Sequence, residues 1–169
     1  ERPFIFRAPF LQVSETMLRV LEELGYRVDS SVPARRFDAG FGMISSLSYF
    51  LAPLKPYHPS HSHLARHGAS PIIEMPPSSF IFPLNMTALR ILGPSLTLWA
   101  ARRLHNRGHI LNFYCHPWEF VSPELQEFPA TFPERHQRSI GKHNVGLLRN
   151  FLDRVLSWGY QPATISEVV

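Results

Sequence analysis

Cysteine and long apolar runs are the scarcest features of this sequence. Cys115 is the single cysteine, so an intramolecular disulfide is excluded. The best candidate for a membrane span is the uncharged segment Ala39 to Leu54, but it is shorter than the roughly 20 residues that a spanning helix needs, and Gly and Ser residues interrupt it. The sequence therefore predicts no transmembrane span, and it indicates no particular compartment.

The excess of positive over negative charge is also small. The chain has 17 Lys and Arg residues against 13 Asp and Glu residues, which gives a formal net charge of +4. The basic residues occur as short pairs such as Arg102-Arg103 and form no stripe, so a nucleic-acid partner is not expected. Hydrophobic residues make up 44% of the chain, which is enough for a folded core.

The first thirty residues have the pattern of a strand–helix–strand unit. The apolar run Pro3 to Phe6 predicts a buried strand. Ser14 can cap a helix that runs, with apolar residues at helical spacing, to Gly25. Tyr26 to Val28 predicts a second strand that ends at Asp29. The length of this unit matches a βαβ crossover, which joins parallel strands.

Strands and helices alternate along the rest of the chain, after an irregular segment from Ser30 to Ser70. Such alternation indicates an α/β fold with a parallel sheet or a βα barrel. The elements predicted here are a strand at Ile72 to Met75, a helix at Thr87 to Leu104 broken at Gly93-Pro94, a strand at Ile110 to Tyr114, a helix at Glu134 to Trp158 and a strand at Gln161 to Ile165.

Three polar residues follow predicted strands directly, namely Arg7, Asp29 and His116. The carboxyl ends of parallel strands are where α/β folds collect functional residues, so these three side chains could converge on one face. Each also has a structural interpretation. Arg7 could be a surface arginine, Asp29 could cap a turn, and His116 could be a core histidine held before Pro117.

Histidines are concentrated in the irregular segment, at His58, His61, His63 and His67. His63 and His67 have the spacing that would suit a metal ion on one face of a helix. The surrounding Pro and Ser residues favour a polar loop that is rich in histidine, so no specific metal site is predicted there.

Four segments resemble the polysaccharide-deacetylase (NodB-homology) family, in the order of the C-terminal half of its domain. Phe6-Arg7-Ala8-Pro9 resembles the family's Arg-x-Pro motif, and Tyr26 to Ser31 resembles the segment that ends in Asp-Ser-Ser. Pro71 to Pro76 resembles the strand between the motifs. Asn112 to Phe120 resembles the last motif in its His-Pro-Trp-Glu variant.

This resemblance implies an α/β fold, a partial distorted (β/α) barrel of the glycoside hydrolase/deacetylase type without its N-terminal strands. Residues 1–169 would then be the C-terminal portion of a single catalytic domain. The implied activity is metal-dependent hydrolysis that removes N-acetyl groups from a polysaccharide or amino sugar. In the complete family domain a divalent metal, usually zinc, polarises the amide and activates water.

The resemblance also implies roles for residues of this chain. Arg7 would orient the catalytic base by a charge-assisted hydrogen bond, and His116 would be the general acid that protonates the departing amine. Asp29 would tune that histidine. Pro9, Tyr114 and Trp118 would contact the N-acetylated carbohydrate.

The chain departs from the family at the front of the pattern. The family's paired-Asp motif and its His-x-x-x-His motif precede Arg-x-Pro, and neither is found in that place here. We therefore expect no metal to be held by this chain alone, and we expect it to be inactive without a missing N-terminal half. The alternative function is a non-catalytic carbohydrate-binding or interaction module, which would use the aromatic residues Tyr114, Trp118 and Phe120.

Overall fold

The computed structural model describes residues 3–35, 49–128, 134–137 and 139–169. The chain forms two compact units. Unit 1 comprises Glu1–Pro83 with Thr164–Val169, and unit 2 comprises Leu84–Ala163. The described part is a mixture of helices and small sheets, and none of these sheets is closed into a barrel. The partial barrel therefore stays a prediction.

Unit 1 is built around a parallel sheet, as the first thirty residues predict. Its strands pair in the order β1, β2, β5, with Ile5 opposite Val28 and Val28 opposite Ile73. Two antiparallel hairpins, β3–β4 and β6–β7, accompany the sheet. The elements of this unit are β1 (Ile5–Phe6), α1 (Glu15–Glu23), β2 (Val28–Asp29), β3 (Pro59–Ser60), β4 (His63–His67), β5 (Ile73–Glu74), β6 (Ser79–Phe80), β7 (Phe82–Pro83) and α6 (Ile165–Val168).

Helix α1 forms where its local signals predict it. The Ser14 hydroxyl accepts a hydrogen bond from the Met17 amide at 3.2 Å, which satisfies a backbone donor of the first turn. Gly25, with φ +78°, takes the left-handed conformation that ends many helices. Leu18 and Leu21 then pack into the core of the unit together with Val32, Leu64 and Ile72.

Unit 2 is helical. Gly93, with φ +84°, and Pro94 break the first long helical segment, as the sequence predicts. Phe113 packs against Phe151 of the last helix with ring centroids 4.8 Å apart. The helices of this unit are α2 (Met86–Leu92), α3 (Pro94–His105), α4 (Glu134–Gln137) and α5 (His143–Leu156).

Three predicted elements are wrong in extent or type. Among the described residues, the segment Ile110 to Tyr114 belongs to no sheet and takes part in one isolated bridge, between Tyr114 and Asn85. The helix predicted at Glu134 to Trp158 is two helices, since Ser139 and Gly141 adopt positive φ values that an α-helix cannot contain.

The last predicted strand, Gln161 to Ile165, is also wrong. Its end belongs to the short helix α6, which Thr164 caps. The Glu167 carboxylate accepts hydrogen bonds from the Thr164 amide at 2.6 Å and from the Thr164 hydroxyl at 2.8 Å. The Thr-x-x-Glu pattern is a capping box, and it is the local signal that predicts a helix here.

Candidate functional site

Arg7 connects the carboxyl ends of the strands in unit 1. It follows β1 directly, its Nε donates to the Ser30 carbonyl oxygen at 3.0 Å, and its Nη2 donates to Ser30 Oγ at 2.7 Å. Ser30 Oγ donates in turn to the carbonyl oxygen of Met75 at 2.7 Å. Since Ser30 follows β2 and Met75 follows β5, one series of hydrogen bonds spans the edge of the sheet. Arg7 is anchored to this edge through its Nε and Nη2 atoms.

Asp29 ends β2 at the same edge and is buried, with 1% of its surface exposed. Its Oδ1 accepts hydrogen bonds from the Ser30 amide at 2.8 Å and from the Ser31 hydroxyl. Burial raises the pKa of Asp29, while hydrogen bonds from Ser31, Glu74 and Ser30 and the charge of Arg7 act to lower it. The sequence placed Arg7 and Asp29 at one edge, and the structure brings them into the same polar cluster.

Glu74 belongs to this cluster, and the motif analysis assigned it no role. It ends β5, and its Oε1 accepts hydrogen bonds from the amides of Ser31 at 3.1 Å and Val32 at 3.0 Å. Burial first, and the neighbouring charge of Asp29 second, raise the pKa of Glu74 well above its usual range. An acid inside an apolar strand, directly before Met75-Pro76, was the sequence signal for it. We call Arg7, Asp29, Ser30, Ser31 and Glu74 the carboxyl-edge network.

Pro9 lies close to this network in the chain and is exposed. It begins a short 3₁₀ turn, Pro9–Leu11, in which the Leu11 amide donates to the carbonyl oxygen of Ala8 at 3.0 Å. Phe10 within this turn has φ +56° and is 73% exposed. The turn therefore presents Pro9 and Phe10 to solvent after the Arg7 strand end.

His116 lies in unit 2, within a cluster of rings. The exposed imidazole is stacked on the Trp118 indole, with centroids 5.6 Å apart and planes 12° apart, and it meets the Tyr114 ring edge-on at 5.7 Å. Phe128 in turn contacts Trp118 edge-on, with ring centroids 6.0 Å apart. The interpretation of His116 as a core histidine is wrong, because its side chain is exposed. We call Tyr114, His116, Trp118 and Phe128 the aromatic cluster.

Glu119 supports the loop that carries His116. It is completely buried, and its Oε1 accepts hydrogen bonds from Thr87 Oγ1 at 2.8 Å, Arg90 Nε at 3.0 Å and Arg90 Nη2 at 2.9 Å. Its Oε2 accepts the His116 amide at 2.8 Å. Asn144 donates to the carbonyl oxygen of Glu119 at 2.7 Å. Glu119 is thus the buried anchor of the His-Pro-Trp-Glu segment, a role that the sequence motif did not assign.

The predicted site residues fall into the two units. Arg7, Pro9 and Asp29 belong to unit 1, whereas Tyr114, His116 and Trp118 belong to unit 2. Within each unit the structure brings the predicted residues together. The convergence of His116 with Arg7 and Asp29 stays a prediction.

The histidine-rich segment forms the β3–β4 hairpin. His63 and His67 are the first and last residues of β4, where four residues span about 13 Å, so they are too far apart to share an ion as helical neighbours would. His61 Nε2 instead pairs with Glu22 Oε1 at 2.8 Å, and His58 Nδ1 lies 2.9 Å from the carbonyl oxygen of Ser70. Across residues 3–35, 49–128, 134–137 and 139–169, no group of three His, Cys, Asp or Glu side chains is arranged to hold a metal ion.

The distance between His63 and His67 along β4 predicts the outcome of a zinc titration. We expect calorimetry to show no tight stoichiometric binding of zinc to this hairpin, and we expect the double variant with His63→Ala and His67→Ala to behave like the wild type. Tight binding that disappears in the double variant would contradict this expectation and would assign a metal site to the hairpin.

The sequence matches the family described as a domain of unknown function (DUF3473) over residues 30–159, which is most of the chain. Searches of curated proteins and of solved structures find no match. The described residues contain no helix that is both long and apolar enough to cross a membrane.

Proposed function

The chain belongs to the DUF3473 family, and on this premise we propose that it forms the C-terminal part of a carbohydrate N-deacetylase. This family is associated with polysaccharide-deacetylase-like proteins. The observation that carries the proposal is the setting of His116. Its imidazole is exposed and stacked on Trp118, and its backbone amide donates a hydrogen bond to the buried Glu119 carboxylate. That geometry suits a proton donor to a sugar-borne amine.

The reaction proposed is hydrolysis of an acetamide on a sugar. Water adds to the carbonyl carbon, the C–N bond breaks, and acetate and a free amine leave. The departing nitrogen needs a proton, and a positioned imidazolium supplies it in general acid catalysis. The stacking of His116 on Trp118 restricts the imidazole to one plane, and the hydrogen bond from the His116 amide to Glu119 restricts its backbone.

A divalent metal in this reaction would need ligands other than the acids of the carboxyl-edge network, Asp29 and Glu74. The Asp29 carboxylate already accepts hydrogen bonds from Ser30 and Ser31, and it is buried. Glu74 is likewise occupied by two backbone amides. These residues do not fit a metal centre, and no step of the proposed reaction uses a metal held by them.

Arg7 and Asp29 have positioning roles in the proposal. Arg7 holds the end of β2 through two hydrogen bonds to Ser30, which is more restraint than a single ammonium could provide. The Ser31 hydroxyl, which accepts from the Ala8 amide at 2.8 Å, then fixes the Asp29 carboxylate. The network therefore gives a rigid, charged edge on which a polar substrate or a catalytic base can be oriented.

A binding module without chemistry is the second candidate, and the aromatic cluster favours it. Tyr114, Trp118 and Phe128 offer ring surface of the kind that packs on the apolar face of a sugar. The two candidates share the ligand and differ in turnover. Release of acetate from an N-acetylated oligosaccharide, assayed with added zinc, separates them, because binding without release favours the module and absence of both overturns the proposal.

The aromatic cluster makes a prediction that holds for either candidate. Trp118→Ala should weaken binding of an N-acetylated oligosaccharide about fivefold, because the ring contributes on the order of 1 kcal/mol through stacking. Trp99→Ala is the matched control, since Trp99 is a partly exposed tryptophan of the same unit outside the cluster. Equal affinities for the two variants in calorimetry would remove the cluster from the binding site.

A further inference from the structure

Two buried carboxyl groups lie side by side in unit 1. Asp29 and Glu74 are direct register partners on the parallel strands β2 and β5, and each residue ends its strand. Neighbouring strands are about 4.8 Å apart, and register partners in a parallel pair project to the same face. Each residue has 1% of its surface exposed. Water therefore cannot screen the two acids from each other.

At this spacing the two carboxyl groups can form a hydrogen bond with each other. Such a bond requires a proton on one of them, because an ionised carboxylate has no donor. Burial raises the pKa of both acids, and the neighbouring charge of Asp29 further raises the pKa of Glu74, so Glu74 is the acid expected to keep the proton. Asp29 has the further donors Ser30 and Ser31 and the charge of Arg7 to favour its ionised form.

The charges around the pair agree with one shared proton. Arg7 is the cation that acts on Asp29. Tyr49 and Tyr57 also lie near the pair, and burial raises the pKa of both hydroxyls, so they stay neutral. Among the residues that the structure describes, one cation balances one carboxylate, and a second carboxylate there would be a buried charge without a counter-ion, which is costly.

We propose that Glu74 is a positioning residue of the candidate site, whose protonated carboxyl group donates a hydrogen bond to Asp29 and holds the Asp29 carboxylate beside Ser31 and Arg7. Glu74 Oε1 at the same time accepts the Ser31 and Val32 amides, so it fixes the backbone that follows β2. The catalytic consequence rests on the proposed function, while the shared proton does not.

The chain offers a set of variants that separate the protonated from the ionised form. Glu74→Gln keeps an acceptor for the two amides and a donor for Asp29, so it imitates the protonated acid. Glu74→Leu removes both and leaves the Ser31 and Val32 amides without their acceptor. Glu23→Gln is the control, because Glu23 is an exposed glutamate on α1 of the same unit.

The expected result follows from the raised pKa of Glu74. A folded-state pKa above the unfolded value of about 4.3 means that the folded protein binds this proton more tightly, so the stability it brings is present at lower pH and is lost as pH rises through the folded pKa. Between the unfolded and the folded pKa of Glu74, the ratio of the unfolding equilibrium constant of the wild type to that of Glu74→Gln should therefore increase by up to about tenfold per pH unit. The unfolding equilibrium constant of Glu23→Gln should depend on pH in the same way as that of the wild type.

Parallel pH profiles of the wild type and Glu74→Gln would overturn the proposal, and so would a loss of stability in Glu74→Gln as large as in Glu74→Leu. The wild type alone supplies a second measurement that needs no variant to fold. Its infrared spectrum should show a protonated carboxyl band that persists at pH values where an ordinary glutamate is ionised, and absence of that band would refute the shared proton.

The catalytic part has its own test. In an active protein Glu74→Gln should extend activity to higher pH than the wild type, whereas Asp29→Asn should lose kcat. A high-pH limit of activity that is the same in Glu74→Gln and in the wild type would overturn the positioning role. If the protein releases no acetate, the proposed function fails and the pH dependence of unfolding still decides whether Asp29 and Glu74 share a proton.

Discussion

Replacing His116 by alanine is expected to lower turnover on an N-acetylated oligosaccharide by roughly a hundredfold or more, which is the usual contribution of a general acid. The proton is needed as the C–N bond breaks and hardly at all in the ground state, so substrate affinity should change much less than kcat. Acetate release under saturating substrate measures the first quantity, and calorimetric titration measures the second.

The side chain of His116 is exposed, so its removal should not unfold the protein. His143→Ala is the matched control, because His143 is an exposed histidine of the same unit at the start of α5. The control should retain full activity. A His116→Ala variant with unchanged kcat would remove the general acid from the proposal and would favour the binding module.

The second large effect is expected for Glu119→Gln. The Glu119 carboxylate accepts from four donor groups, namely Thr87 Oγ1, Arg90 Nε, Arg90 Nη2 and the His116 amide. Glutamine offers one oxygen and one NH₂ group, so at least one donor would face another donor, and the buried Arg90 charge would lose its counter-ion. Breaking a buried ion pair in this way costs about 3 to 5 kcal/mol of unfolding free energy.

Tryptophan fluorescence can follow this loss directly. All three tryptophans, Trp99, Trp118 and Trp158, belong to unit 2, so their signal reports on the unit that contains Glu119. Glu124→Gln is the control, because Glu124 is an exposed glutamate in the same unit. A denaturant midpoint of Glu119→Gln equal to that of the control would show that the carboxylate charge is not needed there.

The comparison of Glu74→Gln with Glu119→Gln is informative because the residues have the same side chain and the same burial. Glu74 adjoins another acid and is expected to tolerate the amide, whereas Glu119 adjoins a guanidinium and is expected not to. No local pattern in the sequence separates the two. The role of each glutamate depends on which side chain a distant segment brings beside it.

The sequence by itself determined the elements whose signals are local. The Ser14 cap, the apolar spacing that follows it and Gly25 specify α1 within a dozen residues, and Gly93-Pro94 specifies the break between α2 and α3. The position of Arg7 and Asp29 at one edge of a parallel sheet followed from the βαβ length. These inferences need only neighbours along the chain.

Tertiary structure decided the remaining features, because they depend on neighbours in space. Ile110 to Tyr114 has the composition of a strand, but among the described residues it belongs to no sheet and takes part in one isolated bridge, between Tyr114 and Asn85. The pairing of Asp29 with Glu74 joins residues 45 positions apart in the chain through the β2–β5 register. The burial of Glu119 against Arg90 likewise comes from packing, which no local periodicity encodes.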